Sequence, residues 1–74
     1  MLNIDDPRRK RFLRLAEKRT NEVLRKVRIL GNCSNRQAYD YDKEDVEKIF
    51  SAIDRKVKEV RAKFQSQEGP DFKL

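Results

Sequence analysis

Basic side chains follow one side of the first predicted helix. The residues that line this surface, called the basic ridge, are Arg11, Arg14, Lys18 and Arg25, with Arg28 at its border. At about 100° per residue, they lie opposite the apolar positions of the same helix. Arginine outnumbers lysine seven to three in the first 31 residues, and guanidinium forms bidentate hydrogen bonds to phosphate that ammonium cannot form. The pattern therefore favours contact with nucleic-acid phosphates, RNA or DNA, with little sequence specificity.

The net charge is concentrated in the same segment. Residues 1–31 hold ten Lys/Arg against four Asp/Glu, whereas residues 32–74 hold nine of each. A localised positive charge indicates an anionic partner, and Arg8 and Arg9 are expected to extend it toward the helix start. An acidic protein surface is a second possible partner. A solvated face without a binding role is the third interpretation, because Glu22 is spaced to pair with Lys26 and would weaken the field.

The predicted connector has an unusual composition. In the sequence, Arg36 is followed by Tyr39 and Tyr41, and Asn and Ser residues precede it. Aromatic rings beside an arginine stack on unpaired bases, at about 1–3 kcal/mol per base, or anchor a protein interface. Alternatively, the tyrosines fold back over the helix ends while the Asn and Ser side chains cap backbone groups. Arg36 is thus a candidate nucleic-acid contact, and Tyr39 and Tyr41 are candidate partner contacts.

Catalytic and metal chemistry find little support. The chain contains no histidine, which excludes Ser-His and Cys-His nucleophile pairs and His-containing zinc sites. Cys33 is the single cysteine and follows a helix C-terminus, the end of the dipole that does not activate a thiol. The acidic run 40–47 lacks calcium-loop spacing, and acids at a helix start are favourable in their own right. We expect a non-enzyme without a cofactor, metal or small-molecule substrate.

The first predicted helix covers about residues 7–30. Asp6 is placed as its N-cap and Pro7 as its first residue, and Gly31 is expected to end it as a left-handed C-cap. Apolar or small residues recur inside it at alternating spacings of three and four. The residues of this first apolar stripe are Leu13, Ala16, Thr20, Val23, Val27 and Leu30.

A second helix is predicted over about residues 42–65, after a connector at 31–41. Asp42 is a suitable N-cap, and Asp45 occupies the capping-box position three residues later. The second apolar stripe consists of Val46, Ile49, Phe50, Ile53, Val57, Val60 and Phe64. Residues 66–74 show no periodicity and are predicted to form a disordered tail.

These elements predict an all-α fold in one domain, residues 1–74: an antiparallel two-helix hairpin that dimerises into a four-helix bundle. A chain of 74 residues buries only about 60% of its unfolded surface, so its core is marginal. A disulfide within the chain is impossible, and burial against a second hairpin would supplement the core. Docking on a larger protein or ribonucleoprotein is the alternative to a homodimer.

The segment from Arg19 to Ile53 resembles a group of short bacterial and phage helical proteins. The shared pattern is most distinctive in the loop, Leu-Gly-Asn-x-Ser-Asn-Arg-x-x-Tyr-x-Tyr, which here runs from Leu30 to Tyr41. Cys33 departs from the leucine expected at its position, a difference that affects packing more than chemistry. The resemblance implies a shared compact fold and a bacterial or mobile-element origin, and it brings no activity or ligand.

Localisation is predicted to be cytoplasmic. No apolar run approaches the roughly 20 residues that a membrane span needs, and the first residues do not form a signal peptide. A single cysteine is typical of a reducing compartment, where Cys33 would remain a free thiol.

Overall fold

A computed structural model describes residues 6–66 of the chain and divides between Asp40 and Tyr41 into two units. The first unit contains α1, Pro7–Gly31, and a 3-10 helix at Asn32–Ser34; the second contains α2, Lys43–Ser66. Within residues 6–66 there is no strand, so the predicted all-α class is confirmed. Antiparallel pairing, the bundle and the single-domain organisation remain predictions.

The start of α1 follows the predicted signals. The amide N–H of Arg8 donates to Asp6 Oδ1 over an N···O distance of 2.8 Å, so Asp6 is the N-cap, and Pro7 occupies the first helical position. Proline suits this position because its fixed φ is helical and its missing N–H would have had no partner there. The predicted cap of α1 is confirmed.

The end of α1 differs from the prediction at Gly31. This residue has φ −59° and ψ −23°, which is right-handed helical backbone and not the expected left-handed C-cap. The helix includes Gly31, and the amide N–H of Asn32 donates to the carbonyl oxygen of Ile29. Because this bond spans three residues, the chain tightens into a 3-10 helix and does not reverse hand.

Asn35 organises the turn that follows the 3-10 helix. Its Oδ1 accepts from the amide N–H of Gln37 at 3.0 Å. Its carbonyl oxygen accepts from the amides of Ala38 at 3.1 Å and Tyr39 at 2.9 Å. Asn35 thus caps backbone groups within the turn itself, whereas the prediction placed such caps at the helix ends.

A reciprocal capping box begins α2. The amide N–H of Asp45 donates to Asp42 Oδ1 at 2.8 Å, and the amide N–H of Asp42 donates to Asp45 Oδ2 at 2.9 Å. The predicted box is confirmed, although Asp42 precedes the helix, which begins at Lys43. At the other end α2 includes Ser66, where the predicted tail was to start. The remainder of that tail, residues 67–74, lies outside the described residues.

Both helices present their apolar stripes largely uncovered. No residue in the described part of the chain is buried. Ala16 and Leu30 on α1 and Val46 and Ile53 on α2 are half-buried, whereas Phe64 is 59% exposed. Each stripe is therefore a surface still available to pack against something else.

Neither described helix combines the length and hydropathy that a membrane crossing requires.

The backbone at Gly31 generates a stability prediction. A Cβ at this position would meet no atom within 4 Å, and the backbone is one that alanine adopts readily. We expect Gly31→Ala to raise the free energy of unfolding by roughly 0.4–1 kcal/mol, mainly by restricting the unfolded chain. Urea unfolding followed by circular dichroism at 222 nm measures the change. A loss of stability would instead indicate a left-handed residue at this position.

Candidate nucleic-acid interface

One continuous helix positions the whole basic ridge. Arg11, Arg14, Lys18 and Arg25 are all exposed on α1, as is Arg28 at the border. From Arg11 to Arg25 the helix advances about 21 Å at 1.5 Å per residue. The cations therefore stand in a row whose order and spacing are set by a regular backbone.

No residue of the basic ridge forms an ion pair within the described residues. The ion pairs found there join Arg8 to Asp6 and Lys56 to Glu59, and neither includes a ridge residue. The predicted Glu22–Lys26 pair is not formed. An exposed pair at this spacing gains only about 0.3–0.5 kcal/mol and restricts two long side chains, so solvated side chains compete with it easily.

Two basic residues at the start of α1, where the positive charge was predicted to extend, make local contacts. Arg8 Nη2 lies 2.8 Å from Asp6 Oδ2, and Arg8 Nε donates to Asp6 Oδ1 at 3.3 Å. The Arg9 guanidinium lies over the Phe12 ring, 5.7 Å from its centroid, a cation–π contact.

The Asp6–Arg8 contact also changes the protonation of both groups. The side-chain hydrogen bonds from Arg8, followed by the bond from its backbone amide, lower the pKa of the Asp6 carboxyl below its ordinary value of 3.8. The same carboxylate raises the pKa of Arg8. Both shifts follow from hydrogen bonding to the charged form of each group.

The connector candidates are distributed over both units. Arg36 is exposed and lies in the turn that Asn35 caps, so it does not share the helix that holds the ridge. Tyr39 ends the same turn with 53% of its surface exposed. Tyr41 belongs to the second unit and is half-buried. The predicted site residues that belong to α1 therefore share one face of that helix, whereas the three connector residues lie outside it.

The basic side of α1 is not purely polar, a feature that was not singled out from the sequence. Ile29 follows Lys18 by eleven residues and Arg25 by four, which places it in the row of cations, and it is 47% exposed. Leu15 flanks the same row and is half-buried. Plotting every residue at 100° intervals, and not only the charged ones, would have revealed both.

One depression on the described surface is open and lies along a single helix. This depression of about 600 Å³ is lined by Ser51, Asp54, Arg55, Val57, Lys58 and Arg61, which all belong to α2. A depression along a single helix does not surround a small molecule as a binding pocket does. In residues 6–66, no three His, Cys, Asp or Glu side chains are grouped to hold a metal ion. In the acidic run, Asp42 and Asp45 serve the capping box.

No protein-family model, curated protein or solved structure matches this chain.

The Asp6–Arg8 contact predicts a pH effect on α1. Because the folded-state pKa of Asp6 is lowered, ionised Asp6 stabilises the helix fully above about pH 3.8. This stabilisation is lost as the pH falls through the lower, folded-state value. We expect Arg8→Gln to move the midpoint of the Asp6 carboxyl titration upward, as measured by NMR of its Cγ resonance. Equal midpoints in the two proteins would contradict the assigned cause.

Proposed function

We propose that this protein is a small non-catalytic binding protein that contacts nucleic-acid phosphates through the basic ridge. The observation that supports the proposal is the exposed row of cations along α1 that has no ion-pair partner within the described residues. Such a row displaces the counterions condensed on a phosphate backbone, and their release favours binding. Arg36 is proposed as an additional phosphate contact.

The basic ridge is expected to discriminate little between base sequences. Helices that read base sequence commonly carry several Asn and Gln side chains, whose amides form paired hydrogen bonds with adenine. On the ridge side of α1, Asn21 is the single residue with a side-chain amide. Contacts to phosphate fix the position of a protein on nucleic acid and carry no sequence information. The expected behaviour is general affinity governed by charge.

Replacing Arg11, Arg14, Lys18 and Arg25 by glutamine tests the proposal. With four phosphate contacts, log K should fall by about 2.8 on single strands and about 3.6 on duplex DNA for each tenfold rise in salt, and the variant should lose most of this slope. Fluorescence anisotropy of labelled single- and double-stranded RNA and DNA measures both quantities.

A matched control changes four exposed basic residues of α2 to glutamine: Arg55, Lys58, Arg61 and Lys63. Both variants carry the same net charge, so binding that depends on the ridge falls only in the first. An equal loss in the two proteins would show that net charge alone attracts the nucleic acid. Weak binding by the unaltered protein would reject this function and favour an interaction with another protein.

A second candidate function is a protein-interaction module, such as an adaptor, an inhibitor or a small subunit. It is favoured by the largely uncovered apolar stripes and by Tyr39, whose exposed ring suits an interface anchor. Tyr41 is the second proposed anchor. In this role the basic ridge would accelerate association with an acidic partner more than it would strengthen the complex.

We also propose that the helices pair antiparallel and that two such hairpins form a four-helix bundle. The two stripes have similar lengths and both recur mainly at spacings of three and four, so antiparallel pairing brings apolar residues of the two helices to the same heights along the bundle. The matched positions would be Leu30 with Val46, Val23 with Ile53, Ala16 with Val60, and Leu13 with Phe64. This arrangement leaves the basic ridge uncovered, because it lies on the opposite side of α1.

Ile53→Asp tests the assembly. We expect the unaltered protein to sediment with the mass of two chains and the variant to lose both dimer and helicity, because the aspartate would enter an apolar interface. Ser51→Asp, which adds the same charge away from the stripe, should keep the dimer. A single-chain mass for the unaltered protein would contradict the homodimer.

Replacing Tyr39 and Tyr41 by alanine tests the protein-interaction module. The variant should keep the mass and helicity of the unaltered protein but should no longer capture a protein partner in a pull-down.

A further inference from the structure

The cations of the basic ridge and its border residue Arg28 form two clusters with a gap between them. The N-terminal cluster is Arg11, Arg14 and Lys18, and the C-terminal cluster is Arg25 and Arg28. Their centres lie about 18 Å apart along the helix axis at 1.5 Å per residue. On this side of the helix, the interval between Lys18 and Arg25 is occupied by Asn21 and Glu22. On this side, the interval therefore holds one carboxylate and no cation.

The gap matches the shape of a double helix. The major groove of B-form DNA is about 12 Å wide and admits an α-helix, and a row of phosphates borders it on each side. Two clusters about 18 Å apart along one helix axis therefore reach both rows when α1 crosses the groove. In that position Glu22 lies over the opening, away from the phosphates that would repel it. Asn21 becomes the side chain nearest the base edges.

The composition of the ridge side argues against an unpaired strand as the main ligand. Proteins that bind single strands combine basic residues with aromatic side chains on which bases stack. Phe12 is the single aromatic residue of α1, and the Arg9 guanidinium already lies over its ring. The apolar side chains that flank the cations are the aliphatic Leu15 and Ile29. They offer no aromatic surface for stacking.

We infer that α1 bridges the two phosphate backbones of double-stranded DNA across the major groove. The N-terminal cluster contacts one strand and the C-terminal cluster contacts the other. This inference rests on the proposed function, since it specifies the class of nucleic acid that the basic ridge binds and the way it binds.

A charge-matched variant tests the spacing directly. Asn21→Lys, Glu22→Gln, Arg25→Gln and Arg28→Gln together leave the net charge of the chain unchanged but move the positive charge into one continuous cluster. Affinity for a labelled DNA duplex should fall by about tenfold or more at low salt, because contact with the second strand is lost. Affinity for a single strand of equal length should change little. Circular dichroism of both proteins verifies that the helices are retained.

A second pair of variants measures the contribution of the C-terminal cluster. Arg25→Gln with Arg28→Gln should reduce the magnitude of the salt slope on duplex DNA by about 1.8, which corresponds to two phosphate contacts. Arg55→Gln with Lys58→Gln removes the same charge from exposed positions on α2. The slope of this control should stay close to that of the unaltered protein.

The outcomes distinguish a failure of the proposed DNA bridge from a failure of the proposed phosphate-binding function. Selective loss of duplex binding by the charge-matched variant supports the bridge. Equal duplex binding by the unaltered and charge-matched proteins would overturn the bridge and leave phosphate binding intact. Tighter binding of the unaltered protein to single strands or to duplex RNA would also overturn it. If the unaltered protein binds no nucleic acid, the proposed function fails and the bridge fails with it.

Discussion

Covering the apolar stripes of α1 and α2 is the interaction on which the remaining architecture depends. Helix nucleation is costly, and most helical stability in proteins comes from packing of an apolar face. Burying one aliphatic side chain fully contributes about 1.5–3 kcal/mol, and the stripes offer many such side chains that are exposed or half-buried. Whatever covers the stripes therefore determines whether two regular helices persist in solution.

The same periodicity keeps the proposed binding surface separate from this packing. Residues of the first apolar stripe recur on one side of α1, and the basic ridge occupies the opposite side. Packing through the stripe thus leaves Arg14 and Arg25 facing solvent, and contact with phosphates leaves the stripe available. A nucleic-acid function and an assembly function are compatible on one helix, since neither requires the surface of the other.

Local signals explain which features were predictable from sequence. Asp6 with Pro7, and Asp42 with Asp45, act over at most three residues, so their types and spacing were sufficient. The ridge followed from helical rotation alone, since it requires only that α1 be continuous. These predictions did not depend on knowing what the helices pack against.

The missed features depend on competition that the local pattern does not resolve. Glycine adopts either hand, and the bond from the Asn32 amide to the Ile29 carbonyl accompanies the right-handed choice at Gly31. The contacts of Arg8 with the Asp6 carboxylate and of Arg9 with the Phe12 ring were not predicted, because each side chain has several partners within reach. Pairing of the helices depends on contacts distant in sequence, which local spacing constrains but does not establish.

The right-handed continuation of the chain past Gly31 has a redox consequence. It places Cys33 within a short 3-10 helix with its thiol exposed. Two copies that meet at this end of α1 under oxidising conditions are able to form an intermolecular disulfide, whereas a reducing cytosol keeps both thiols free. Covalent pairs that accumulate during purification in air would imitate a native dimer. A dimer that persists when a reductant is present therefore depends on non-covalent packing and not on a disulfide.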